Sequence, residues 1–174
     1  MANVLKLTNS ARTAGIAALL GIAGLLAATS GQAAPASGTP SPQLGAQIAK
    51  GNNFTVSADT QGDCKAGAEC KVQLKLEASD PFHVNKEYPY KFKANDVAGV
   101  DYTGTDASGK NVFSKAAGDF TLDPKSEKIG YLTVHFKPSK AGALALTGTF
   151  KLSVCSAQNC QLETSELSIP VTVK

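Results

Sequence analysis

No cysteine precedes Cys64, no tight cluster of lysine and arginine occurs along the chain, and only two histidines are present, His83 and His135. Each shortage removes a class of function. Without an early cysteine, no residue stands ready to carry the lipid of a bacterial lipoprotein at a leader's cleavage point. Without a basic cluster, nothing recommends nucleic acid or an anionic membrane as a partner. Two distant histidines fall short of a metal centre, which would need them to converge with a third ligand such as Cys155 or a carboxylate. Phosphate-cradling glycine loops, coiled-coil heptads and fixed-period repeats are also missing. Ser153, Ser156 and Asp119 form no nucleophile–base arrangement with either histidine, so a hydrolase has no support. No cofactor is implied.

What is present begins with a leader. Lys6 and Arg12 precede an uncharged run of Ala, Leu, Ile and Gly from Ile16 to Ala28, and Gly31 and Ala33 are suited to cleavage before Ala34. Residues 1–33 therefore read as a secretory signal peptide, the apolar run being short for a membrane span. No later run is long and apolar enough to span. The expected protein is exported, periplasmic or secreted, with no stable membrane insertion after cleavage. Lys6 and Arg12 supply two of the positive charges behind the formal net charge of +3, so the remainder is nearly neutral. It comprises roughly 140 residues, enough for one domain with a real core.

Residues 34–50 read as a Pro/Ser-rich linker opening with APASGTPSP, in which Leu44 to Lys50 is read as a helical turn. From residue 51 to 174 the pattern is β. Val72, Leu74 and Leu76 alternate with lysine, glutamine and glutamate, and Tyr88, Tyr90 and Phe92 alternate with lysines. Leu132, Val134 and Phe136 repeat the pattern before Pro138 ends it. About seven to nine short strands separated by turn signals predict an all-β, immunoglobulin-like sandwich. The tyrosines and Phe92 are read as core. Lys86, Glu87, Lys91 and Lys93 are read as an ordinary solvated strand face.

The last thirty-odd residues organise the rest. Leu144, Leu146, Phe150, Leu152 and Val154 give a long strand with one buried face, interrupted at Gly148, where a bulge or a close approach is expected. Cys155 shares parity with Lys151 and Ser153, which predicts that it faces away from the core; the face of Cys160 stays open. The four-residue connection Ser156 to Asn159 is an ordinary hairpin loop. Cysteines flanking it sit opposite each other, with Cα atoms about 4.5–5.5 Å apart, within reach of a disulfide.

Four cysteines in an exported chain favour disulfides over zinc, and the spacings C-x5-C and C-x4-C do not match common zinc knuckles. Cys64 and Cys70 bracket a short loop, and Cys70 shares parity with the apolar side of its strand. That pair is expected to be a buried structural disulfide. For Cys155 and Cys160 two readings stand side by side: a second hairpin staple, or an accessible pair able to exchange with a partner's thiol. His83 and His135 fall on outward faces by parity, as surface residues. An imidazole near Cys155 would lower its thiol pKa.

The segment FKLSVCSAQNCQLETSELSIPVTV, with KEYPYKFK (Lys86 to Lys93) upstream, resembles the amino-terminal periplasmic domain of the DsbD family of thiol–disulfide interchange reductases. The resemblance covers roughly Cys70 to Lys174. It implies an immunoglobulin-like sandwich with a redox-active cysteine pair, here Cys155 and Cys160. It also implies a thioredoxin-like or membrane-embedded thiol–disulfide protein as partner. In the region of the family's capping loop stand Gly109 to Phe120, with Phe113 as the candidate shield of the disulfide. Which cysteine is attacked first is not fixed by the resemblance; the outward parity of Cys155 points to Cys155. The alternative is a non-enzymatic immunoglobulin-like module in which both disulfides are structural and loops do the binding.

Overall fold

A computed structural model describes residues 45–174. The expected signal peptide and residues 34–44 of the expected linker lie outside the described residues. In chain order the strands are β1 (Ala46–Lys50), β2 (Phe54–Thr60), β3 (Cys70–Ala78), β4 (His83–Val84), β5 (Lys91–Ala94) and β6 (Val100–Tyr102). They continue with β7 (Val112–Ser114), β8 (Phe120–Leu122), β9 (Ile129–Pro138), β10 (Gly142–Cys155) and β11 (Cys160–Val173). The described residues thus contain eleven strands and no helix. The number exceeds the expected seven to nine because β1, expected as a helical turn, and β7, three residues long and buried throughout, add to it.

One sheet runs β1-β2-β3-β9-β6, with β8 also on β9; the other runs β11-β10-β5-β7, with β4 also on β10. β6 pairs along Phe136–Pro138 of β9 and β8 along Gly130–Leu132, so the two short strands share one edge. Taking β2, β3, β5, β8, β9, β10 and β11 as the seven strands A to G gives A-B-E-D in one sheet and G-F-C in the other. That is the strand order of the immunoglobulin fold, and the chain is an immunoglobulin-like all-β sandwich.

Alternation builds the interior. Val72, Leu74 and Leu76 of β3 face Val134, Leu132 and Gly130 of β9 in register, and the apolar members are buried. From the other sheet come Phe92, Leu146, Phe150, Leu152, Val154 and Ile169, all fully buried. Each such side chain removed from water contributes about 1.5–3 kcal/mol of hydrophobic stabilisation. Tyr90 stacks on Phe120 with ring centroids 3.9 Å apart, joining the segment before β5 to β8 of the opposite sheet. Tyr90 and Phe92 belong to the core and Tyr88 is partly buried against it.

Two local expectations are corrected. Residues 46–50 are not a helical turn of a linker; they form β1, which pairs with β2 from Ala46↔Ala58 to Lys50↔Thr55. Short AQIAK has no decisive period, and pairing with β2 decides its state. At Gly148 the register stays regular from Gly142↔Val173 to Cys155↔Cys160, so there is no bulge. The glycine instead permits close approach. A Cβ there would collide with the Lys93 carbonyl oxygen and lie 2.7 Å from the Phe92 ring and 2.8 Å from Ala94 Cα.

Candidate functional site

β10 and β11 form a hairpin of 14 residues per strand whose last pair is Cys155↔Cys160. Residues 156–159 close the turn. The Ser156 amide donates to the Asn159 carbonyl at 2.8 Å, while the Ser156 hydroxyl accepts from the Gln158 and Asn159 amides at 3.2 Å each. Cys155 and Cys160 are disulfide-bonded, with Cα atoms 4.0 Å apart.

β10 is an interior strand at this point. β4 lies on its other side, with Val84 opposite Val154 and His83 opposite Cys155. Immediately after β4, the Asn85 amide donates to the Ser153 carbonyl at 3.1 Å, and Asn85 Nδ2 donates to the Ser153 hydroxyl at 3.3 Å. The Tyr90 hydroxyl donates to the same Ser153 carbonyl at 2.6 Å. Burial pushes the Tyr90 phenol well above its ordinary pKa. Ser153 is completely buried as a result.

These neighbours overturn one expectation. Cys155 does share a face with Ser153 and Lys151, but it is only 5% exposed, whereas Cys160 is exposed. Parity identified the face correctly. It carried no information about the flanking strands: Cys155 has β4 on one side and β11 on the other, while Cys160 begins the edge strand. Two positions beyond Cys160, Leu162 is 69% exposed and pairs with Ser153.

The other pair lies at the opposite end of β11. Cys64 and Cys70 are disulfide-bonded, and both are 3% exposed within the core. The Lys174 amide donates to the Cys64 carbonyl at 2.8 Å and the Ala66 amide to the Lys174 carbonyl at 3.0 Å, tying this loop to the end of the chain. Among the described residues no cysteine is free.

Other sequence candidates scatter. Phe113 is fully buried, near Phe92 and Tyr102, with ring centroids 6.5 and 6.1 Å away. It pairs with Phe92, which pairs with Phe150, five residues along β10 from Cys155, so it does not shield the disulfide. His135 lies on β9 of the other sheet, with Nδ1 3.4 Å from Glu69 Oε1. Among the described residues no group of three or more His, Cys, Asp or Glu is placed to hold a metal. None has a helix long and apolar enough to cross a membrane. Lys91 and Lys151 oppose each other on the outer face of the second sheet. The Lys86 ammonium bonds Glu127 at 2.6 Å, and that bond, with a smaller contribution from the His83 charge, lowers the Glu127 pKa.

The alignment of His83 with Cys155 escaped sequence reasoning. β4 has only two residues, too short for any periodicity, and its partner is some seventy residues away in sequence.

No family model and no curated protein matches the chain. Among solved structures the chain is similar to a cohesin module from a Clostridium perfringens family 33 glycoside hydrolase, at 13% identity over 70% of this chain and 98% of that one, with a TM-score of 0.34. It is similar to AggA, the major subunit of aggregative adherence fimbriae type I from Escherichia coli, at 12% identity, 71% and 97% coverage and a TM-score of 0.33. A PapD-like domain of human CEP192 gives 16% identity, 80% and 95% coverage and a TM-score of 0.28.

Proposed function

We propose that this chain is an exported thiol–disulfide exchange module whose reactive bond is Cys155–Cys160, and that Cys160 is the sulfur attacked by a partner's thiolate. The observation that supports it is the uneven exposure of the two bridges. Cys64, Cys70 and Cys155 are 3%, 3% and 5% exposed, while Cys160 lies open at the end of an edge strand. Exchange needs a sulfur that a visiting thiolate can approach in line. The likeness of the hairpin to the DsbD amino-terminal domain points the same way. A dithiol protein, thioredoxin-like or membrane-embedded, is the partner this reading calls for. An oxidising compartment outside the cytosol suits a chain with two disulfides.

In the reductive direction, the partner's thiolate attacks Cys160 Sγ. A mixed disulfide forms, the Cys155–Cys160 bond breaks, and its electron pair stays on Cys155 Sγ. The partner's second thiolate then attacks the partner's own sulfur and releases Cys160 as a thiolate. The chain gains two electrons and the partner becomes a disulfide. In reverse, Cys155 resolves the mixed disulfide by attacking Cys160 Sγ.

The burial of Cys155 and the shortness of both closed loops favour a second reading, a binding module with two structural bridges. Equilibration of the folded chain in glutathione buffers separates the two. A potential for Cys155–Cys160 above about −300 mV, with two thiols alkylated while the fold persists, supports exchange. Four thiols appearing together on unfolding would sink it.

A further inference from the structure

Three strands meet at the hairpin tip, and their registers align one residue from each. His83 of β4 opposes Cys155 of β10, and Cys155 opposes Cys160 of β11. Directly opposed residues of an antiparallel pair project from the same face with Cβ atoms about 4.5–5.5 Å apart. Cys155 is therefore flanked by His83 on one side and by its disulfide partner on the other. We propose that His83 is the positioning residue for exchange, holding its proton and positive charge against the Cys155 sulfur as that sulfur leaves the disulfide. This rests on the exchange reading above and adds to it the group that stabilises the charge left on Cys155 Sγ.

The chemistry requires such a group. When a thiolate attacks Cys160 Sγ, negative charge appears on Cys155, a buried position where an unpaired thiolate is costly. An imidazolium beside it stabilises the leaving thiolate or passes it the ring proton, ending as neutral imidazole beside Cys155–SH. In the reverse direction neutral His83 takes that proton back and restores the resolving thiolate. A leaving thiol with a lower pKa leaves faster.

The surrounding charges leave this role to His83. On its own segment stand Asp80, Lys86 and Glu87, and on the segment before β9 stand Glu127 and Lys128. Lys86 is paired with Glu127 and Lys128 with Asp80. From β10 the nearest cation is Lys151, four residues from Cys155, and β11 offers only the carboxylates of Glu163 and Glu166 before its apolar half. Among the described residues His83 has no ion-pair partner, and Glu127, the carboxylate that feels its charge, is bonded to Lys86.

The test is the rate at which dithiothreitol reduces Cys155–Cys160 in the folded full chain, divided by the thiolate concentration of the reagent at each pH. For the wild type this normalised rate rises as pH falls and His83 takes up its proton. His83→Gln gives a flat profile, slower by about tenfold at the acid end and unchanged at the alkaline end. His83→Lys, which keeps a positive charge, restores the fast rate without the inflection.

A Cys160→Ser chain that retains His83 gives an independent reading. Its Cys155 thiolate absorbance appears below the ordinary thiol value of about 8.5 if the imidazolium is paired with it. Identical pH profiles for the wild type and His83→Gln, or a Cys155 titration at or above that value, would overturn the role of His83 while leaving the exchange reading intact. Resistance of the bridge to dithiothreitol in the folded wild type would overturn both.

Discussion

The Tyr90 hydroxyl is bonded to the main-chain carbonyl of Ser153, two residues before Cys155, at 2.6 Å. Through that bond the aromatic segment leading into β5 fastens β10, the middle of the three strands that meet at the disulfide. The same carbonyl also accepts the Asn85 amide. Tyr90→Phe therefore leaves it with one donor instead of none, and the expected loss is about 1 kcal/mol, at the low end for a buried hydrogen bond. Urea denaturation measures it. An unchanged midpoint would mean that the hydroxyl is dispensable to the fold.

Alkaline pH strains the same residues. Burial disfavours the phenolate and pushes the Tyr102 pKa to about 12 from an ordinary value of 10.0, with the Asp96 charge adding to it; Tyr90 is raised further, chiefly by burial. Unfolding releases both phenols to titrate near pH 10. The unfolded chain then binds fewer protons than the folded one, and stability falls as pH rises. Their contribution is complete below about pH 10 and is lost through about pH 12 and beyond. Urea midpoints measured across that range should decline, and Tyr102→Phe should decline less steeply than the wild type.

Gly148 admits no side chain. Its Cβ position is occupied on one side by the main chain of β5 and on another by the Phe92 ring. Neither can retreat without disturbing the β5–β10 pairing or the core. Gly148→Ala is expected to destabilise the chain by about 3 kcal/mol, the upper part of the range for overpacking. Retention of wild-type stability would show that β5 shifts freely against β10.

The sandwich was legible in the sequence because its long strands bury one face each. Val72–Leu74–Leu76, Leu132–Val134–Phe136 and Leu146–Phe150–Leu152–Val154 all declare their faces by a period of two, and all are buried. The hairpin between Cys155 and Cys160 was legible for the same reason, because two periodic runs bracket a four-residue loop. Cys155 was misread because parity reports a face and not lateral cover. Its cover comes from β4 and the Asn85–Ser153 bonds, which are long-range contacts with no local pattern. β1 was missed because five residues with little hydrophobic contrast take their state from the strand they join. Phe113 was offered as the shield of the disulfide and not as core because its strand, Val112–Ser114, is buried at every position and so shows no alternation.

The two disulfides should act independently. They sit at opposite ends of β11, roughly 40 Å apart along the strand, and no residue of one touches a strand pair of the other. Sites separated this far and sharing no partners contribute additively. Cys64 and Cys70 close a loop short enough that its chain-entropy contribution is about 2 kcal/mol. The Cys64→Ser/Cys70→Ser double variant should therefore lose about 2 kcal/mol in a urea titration, while dithiothreitol reduces its remaining bridge at the wild-type rate. The alkylation pattern of that variant gives a second reading. With only Cys155 and Cys160 left, the exposed thiol of Cys160 should react with iodoacetamide about tenfold faster than the buried Cys155. Equal rates, or a faster Cys155, would mean that the burial of Cys155 does not outlast its disulfide.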